Sequence, residues 1–239
     1  MIRLLASVRD ADEALAAAGA GADFIDLKEP RAGALGGLPP APLRAIVGAL
    51  RRAHPGVPIS ATIGDHPADA LARIEAQVAT VGGCGVDYVK VGIAGAQPHA
   101  QRVLLAQLAT APWPVVPVFI ADRGLDFAVI EAACRLAFPA LMVDTEDKRA
   151  GSLFDCVSTA TLARFVACAR RAGKLAGLSG ALRHHHVPHL AMLAPDFAGF
   201  RSALCDGART GVLVREKVLT MTEALHTHAR ARAGEVCTR

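Results

Sequence analysis

Eight short apolar runs recur along the 239-residue chain, each followed by a stretch patterned as a helix, and no other feature narrows the fold as far. The runs fall at residues 2–7, 24–28, 59–63, 88–92, 115–121, 141–144, 175–179 and 197–201. Helices are expected at 11–19, ending near Arg52, at 67–81, through Leu104 and Leu108, and at 126–135, 159–172, 187–193 and 215–231. Asp10 or Asp12 supplies the first helix cap, and Gly19 and Gly21 mark its end. The runs are almost continuously apolar, as strands are when helices cover one face of a parallel sheet and the other is packed inside. Eight such units predict an α/β fold, a single (β/α)8 TIM barrel. The rival is a doubly wound open sheet, which usually has fewer strands and a Gly-rich first turn. Here that turn is Ser7-Val8-Arg9-Asp10, without glycine.

The length suits one domain, read as a barrel over residues 1–225 and a basic tail over 226–239. The longest Gly- and Pro-rich segment, residues 30–42, reads as a mobile rim loop. Net charge is +4, and the tail holds Arg230, Arg232 and Arg239 against Glu235, so +2 belongs to the tail and +2 to the rest. That balance argues against a nucleic-acid surface and suits a pocket for small anions. No apolar run reaches membrane-spanning length, and residues 1–5 lack the features of a secretory signal, so a cytoplasmic protein without membrane contact is expected. Six cysteines show neither Cys-x-x-Cys spacing nor a disulfide framework, and read as free thiols. The sequence leaves a homo-oligomer open.

The chemistry collects at the ends of the runs, where barrel enzymes place their reacting groups. In Phe24-Ile25-Asp26-Leu27-Lys28-Glu29-Pro30, strand alternation puts Asp26 and Lys28 on one face and Ile25 and Leu27 on the other. In the fourth run Tyr88, Lys90 and Gly92 share a face. An ammonium buried beside apolar walls loses solvation and gives up its proton more readily, which a Schiff-base lysine requires. Two lysines in one basin would each lower the other's pKa. The bland reading pairs both, as rim charges, with Asp26, Glu29 or Asp144. Thr62 and Asp65 close the third run, Asp122 and Arg123 follow the fifth, Asp144 ends the sixth and Lys148 lies in its loop. The glycine-bearing turns 177–181 and 199–203 offer backbone N–H groups to a phosphate, with Ser179, Gly180, Arg201 and Ser202 as ligands. His184, His185, His186 and His189 are dense enough to suggest a metal, but adjacent side chains diverge and no acid lies near them in sequence, so a solvated loop is expected.

The segments Asp26-Leu27-Lys28-Glu29-Pro30, Ser60-Ala61-Thr62-Ile63-Gly64-Asp65, Tyr88-Val89-Lys90-Val91-Gly92 and Met142-Val143-Asp144-Thr145, with Lys148 and Leu153-Phe154-Asp155, resemble the (5-formylfuran-3-yl)methyl phosphate synthase family, which supplies the furan ring of methanofuran. The likeness extends over nearly the whole chain up to the basic tail, and includes the Gly-rich loop at Gly33-Ala34-Leu35-Gly36. The resemblance implies a Schiff-base barrel that joins two molecules of glyceraldehyde 3-phosphate, with loss of one phosphate and of water. Lys28 matches the family's Schiff-base lysine and Lys90 its proton-transferring lysine. Asp26, Asp144 and Lys148 match further polar positions around the site. No metal and no cofactor are expected. The competing readings are a class I aldolase-like enzyme on another triose phosphate and a non-catalytic barrel that binds phosphorylated metabolites.

Overall fold

The structure, a computed structural model, describes residues 1–94, 97–147 and 151–236, with side chains through Thr227. Eight parallel strands close into a barrel in chain order. They are β1 (Arg3–Val8), β2 (Phe24–Leu27), β3 (Ile59–Thr62), β4 (Tyr88–Ile93), β5 (Val115–Ile120), β6 (Ala140–Asp144), β7 (Leu175–Leu178) and β8 (Phe197–Phe200). The ring is closed by β1 beside β8, with Leu5 opposite Gly199. Helices α1 (Ala11–Gly19), α2 (Pro40–Ala53), α3 (Leu71–Gly82), α4 (Pro98–Leu108), α5 (Phe127–Cys134), α6 (Leu153–Cys156), α7 (Thr159–Arg171), α8 (Val187–Leu193) and α9 (Arg215–Val236) lie on the connections and after the last strand. The fold is the expected (β/α)8 barrel.

Capping chemistry sets several helix starts. Asp10 accepts from Glu13 N at 2.9 Å, Asp126 from Ala128 N at 2.8 Å, and Ser158 from Thr161 N at 3.2 Å. Pro67 opens a turn instead of the expected helix, so α3 begins at Leu71. The short α6 was not anticipated: Ser152 and Asp155 cap each other around a single turn. The last helix runs on to Val236, so residue 226 lies inside it; the His226 ring meets Asp23 at 3.1 Å.

Alternation divides the strand side chains into two populations. Ile25, Leu27, Val89, Val91, Leu141 and Val143 pack outward against the helices in the main core. Inside the ring, Leu5, Val116, Val118, Ile120, Ala140, Met142 and Phe197 form a separate apolar cluster, and Leu35 joins it from the loop after β2. Polar groups stand above that cluster, toward the C-terminal ends of the strands. The loop expected to be a mobile rim is tied down, with Glu29 N bonded to Gly36 O and Leu35 1 % exposed. Among the described residues, no helix is long and apolar enough to cross a membrane.

Candidate active site

Asp26 stands at the centre of the barrel, fully buried. Strand pairing puts Ser7 of β1 and Ser60 of β3 directly beside it. The Ser60 hydroxyl donates to Oδ1 at 2.7 Å and the Ser7 hydroxyl to Oδ2 at 3.2 Å. Lys90 of β4 reaches the same Oδ2 at 3.0 Å, and Lys28, one residue past β2, approaches it at 4.0 Å. The two ammonium groups thus converge on one carboxylate oxygen. Both lysines are buried, 4 % and 2 % exposed for Lys28 and Lys90.

Burial pushes the Asp26 carboxyl up, but Lys90 first, then Lys28 and the Ser60 hydroxyl, pull it down, and the net direction is below the ordinary carboxylate value. This changes the electrostatics expected from sequence. Two facing amines would each favour loss of the other's proton, whereas the interposed anion offsets one of the two positive charges.

Asp144 ends β6, 1 % exposed, and its Oδ1 accepts from Thr145 N at 2.7 Å. Lys148 lies outside the described residues. Asp122, after β5, spends its carboxylate on Glu146 N and Asp147 N, and Arg123 pairs with Glu146 on the surface.

A small cavity lies against Lys28, lined by Ser7, Ser179, Ser202, Arg201 and Arg209 among others. Ser179 and Ser202, expected at a phosphate site, therefore share a space with Lys28. Gly180, at φ 126°, accepts from Leu153 N at its carbonyl, and a side chain there would run into Thr145. Arg201 differs from its expected role as a ligand. Its Nε donates to Arg209 O at 2.8 Å, and its Nη1 and Nη2 donate to Ser7 O, Gly211 O and both oxygens of the buried Glu13. A guanidinium has five N–H donors, and these five bonds use them all. The guanidinium of this cavity without that commitment belongs to Arg209, whose Nη2 donates to Gly33 O at 3.0 Å. Burial holds Arg209 below the ordinary arginine value, while the Asp144 carboxylate pulls the other way.

Sequence reading missed Ser7, Ser60, Glu13 and Arg209. The two serines occupy inward positions that strand alternation marks, but what they face depends on register. Glu13 is an acid in a first helical turn, and no local spacing marks its partner Arg201. Of the histidines, His184, His185 and His189 are exposed, whereas His186 is buried, with Nδ1 accepting from Arg183 N at 3.0 Å and the ring against Phe154. Among the described residues no cluster of His, Cys, Asp or Glu is arranged to hold a metal.

Similarity to known proteins agrees with the sequence motifs. The model of the family described as 4-HFC-P synthase matches residues 4–222. A protein of Methylorubrum extorquens provisionally named (5-formylfuran-3-yl)methyl phosphate synthase is 40 % identical over 237 residues, 97 % of this chain and 95 % of that one. The (5-formylfuran-3-yl)methyl phosphate synthase of Archaeoglobus fulgidus is 32 % identical over 241 residues, 94 % of this chain and all of that one. Among solved structures, 3-hexulose-6-phosphate synthase from Salmonella typhimurium superposes with a TM-score of 0.63 at 16 % identity, covering 95 % of this chain and 100 % of the other. Phosphoribosyl anthranilate isomerase from Thermus thermophilus gives 0.61 at 15 % identity, covering 97 % and 100 %. At those identities the structures speak for the barrel alone, while the family match and the full-length relatives decide membership: the chain belongs to the 4-HFC-P synthase family.

Proposed function

We propose that this protein is a (5-formylfuran-3-yl)methyl phosphate synthase, a lyase that condenses two molecules of glyceraldehyde 3-phosphate through a Schiff base on Lys28. The observation that carries the reading is the convergence of Lys28 and Lys90 on one oxygen of Asp26. One carboxylate offsets one ammonium. Lys90 lies at hydrogen-bond distance from Asp26, which positions it, and Lys28, one residue past β2, is the amine that attacks the carbonyl.

Lys28 Nζ adds to the aldehyde carbon of one triose phosphate, and the carbinolamine oxygen takes a proton from Lys90 and leaves as water. The resulting iminium draws electrons from the neighbouring carbon, whose proton passes to Lys90, left neutral by the dehydration step. The enamine carbon then bonds to the aldehyde carbon of the second triose phosphate, and the new alkoxide takes a proton from Lys90. Loss of one phosphate and of water, with ring closure through oxygen, leads toward the aromatic furan, and hydrolysis returns Lys28. Ser179 and Ser202, beside Lys28, are suited to a phosphate at that end of the substrate. Asp144 ends β6 and Lys148 follows four positions later in sequence, and both are candidates to act on the second substrate. The product fits the furan unit of a methanofuran-type carrier.

Incubating the protein with glyceraldehyde 3-phosphate and recording the ultraviolet spectrum tests this reading. A furan absorption should grow with time. An aldol product without it would mean a class I aldolase-like enzyme on a triose phosphate, and no consumption would mean a barrel that only binds phosphorylated metabolites.

A further inference from the structure

The Lys28 side of the barrel mouth is covered in this structure. The cavity against Lys28 measures about 20 Å³, room for about one water. The cover is the loop after β2, whose Leu35 enters the ring among Val118, Ile120 and Met142. It sits so close to β4 that a methyl group at Gly92 would lie 2.8 Å from its Cδ1. Three side chains from other elements hold this loop. Thr62 Oγ1 donates to Gly36 O at 2.9 Å, the Asp65 carboxylate accepts from Leu35 N at 3.3 Å, and Arg209 Nη2 donates to Gly33 O at 3.0 Å.

Of these three, Arg209 alone lines the Lys28 cavity among the described residues, and it brings the charge a phosphate seeks. Its placement is built from below. The Glu13–Arg201 pair, buried between α1 and β8, grips the loop that carries it: Arg201 donates to the carbonyls of Arg209 and Gly211, and Glu13 Oε1 accepts from Leu213 N at 3.2 Å. Arg9 adds a bond from Nη1 to Thr210 O at 2.7 Å.

We propose that Arg209 receives a substrate phosphate and, while the site is empty, latches the loop over the barrel mouth through the Gly33 carbonyl, with Glu13 and Arg201 as its positioning residues. The proposal rests on the reading of the substrate as a triose phosphate. A phosphate oxygen is a charged acceptor and forms a hydrogen bond roughly twice as strong as a neutral carbonyl does. An arriving phosphate therefore draws the guanidinium from Gly33, and the segment that carries Leu35 loses its tie across the mouth.

The test is tryptic cleavage after the exposed Arg31, followed by mass spectrometry in phosphate-free buffer and in inorganic phosphate. In the unaltered protein phosphate should speed this cleavage by about tenfold, and Arg209→Ala should be cut quickly in both buffers. Cleavage that phosphate leaves unchanged or slows, or an Arg209→Ala rate equal to that of the parent, would overturn the latch. Should that variant fail to fold, Arg209→Lys replaces it, and an undiminished phosphate response there is equally contrary. Glu13→Gln should lose the phosphate response and Glu13→Asp regain part of it; a full response in Glu13→Gln removes the pair from the positioning role. None of these readouts needs turnover. A protein that makes no furan yet opens to phosphate contradicts the proposed reaction and leaves the latch intact, and the converse result contradicts the latch alone.

Discussion

Asp26 is the residue on which the others depend, because its carboxylate is buried with two ammonium groups and two hydroxyls as partners. Asp26→Asn leaves two buried lysines without their counter-charge and should cost about 3–5 kcal/mol, read by chemical denaturation, together with all turnover. Because the folded-state pKa of Asp26 is lowered, its contribution is present above the unfolded value and lost as pH falls through the folded one. The stability gap between the parent and Asp26→Asn should thus hold near neutral pH and narrow only below about pH 3.8. Lys28→Arg should abolish product formation, since a guanidinium stays protonated and forms no imine; activity at the parent's level would remove Lys28 from the reaction. Lys90→Ala should still form imine yet release little product, and an unchanged rate would exclude it as the proton carrier. The lysines and Asp26 were legible in sequence because alternation alone assigns them to the inside of a barrel. Ser60, Glu13 and Arg209 were not, because their partners come from other strands and from a loop some two hundred positions away, and no local spacing records that. Arg201 shows the opposite case: its position at the end of β8 suggested an anion ligand, while its donors are used within the protein.

At the scale of elements, the eight strands could be read from their apolar runs, whereas the role of the loop after β2 could not. A leucine among glycines and prolines gives no periodic signal, and the packing of Leu35 inside the ring follows only from the approach of Gly92 and the anchor at Asp65. The interior glycines have a separate task. A side chain at Gly177 would lie 2.2 Å from the Phe197 ring on the neighbouring strand, so β7 and β8 approach as they do because that position is bare. Gly177→Ala should destabilise the barrel by about 1–3 kcal/mol, measured as a lower denaturation midpoint at unchanged slope. A midpoint equal to the parent's would show that the phenyl ring has room to swing aside.

For the molecule as a whole, one closed ring supplies both the core and the site, and α9 completes it by packing Val218, Met221, Thr222 and Leu225 inward. All four precede residue 226, so a chain ending at Thr227 should keep its fold, with a melting temperature within a few degrees of the full chain; a large fall would assign the rest of the helix a structural role. Membership of the 4-HFC-P synthase family and the meeting of Lys28 and Lys90 at Asp26 support one chemical proposal, an imine on the inner face just past β2. It is tested most directly by adding glyceraldehyde 3-phosphate and borohydride, digesting the protein, and locating the added mass by spectrometry. A reduced triose phosphate adduct on Lys28, absent without substrate, is the expected result. An adduct on Lys90 or elsewhere, or no adduct while furan still forms, would contradict it.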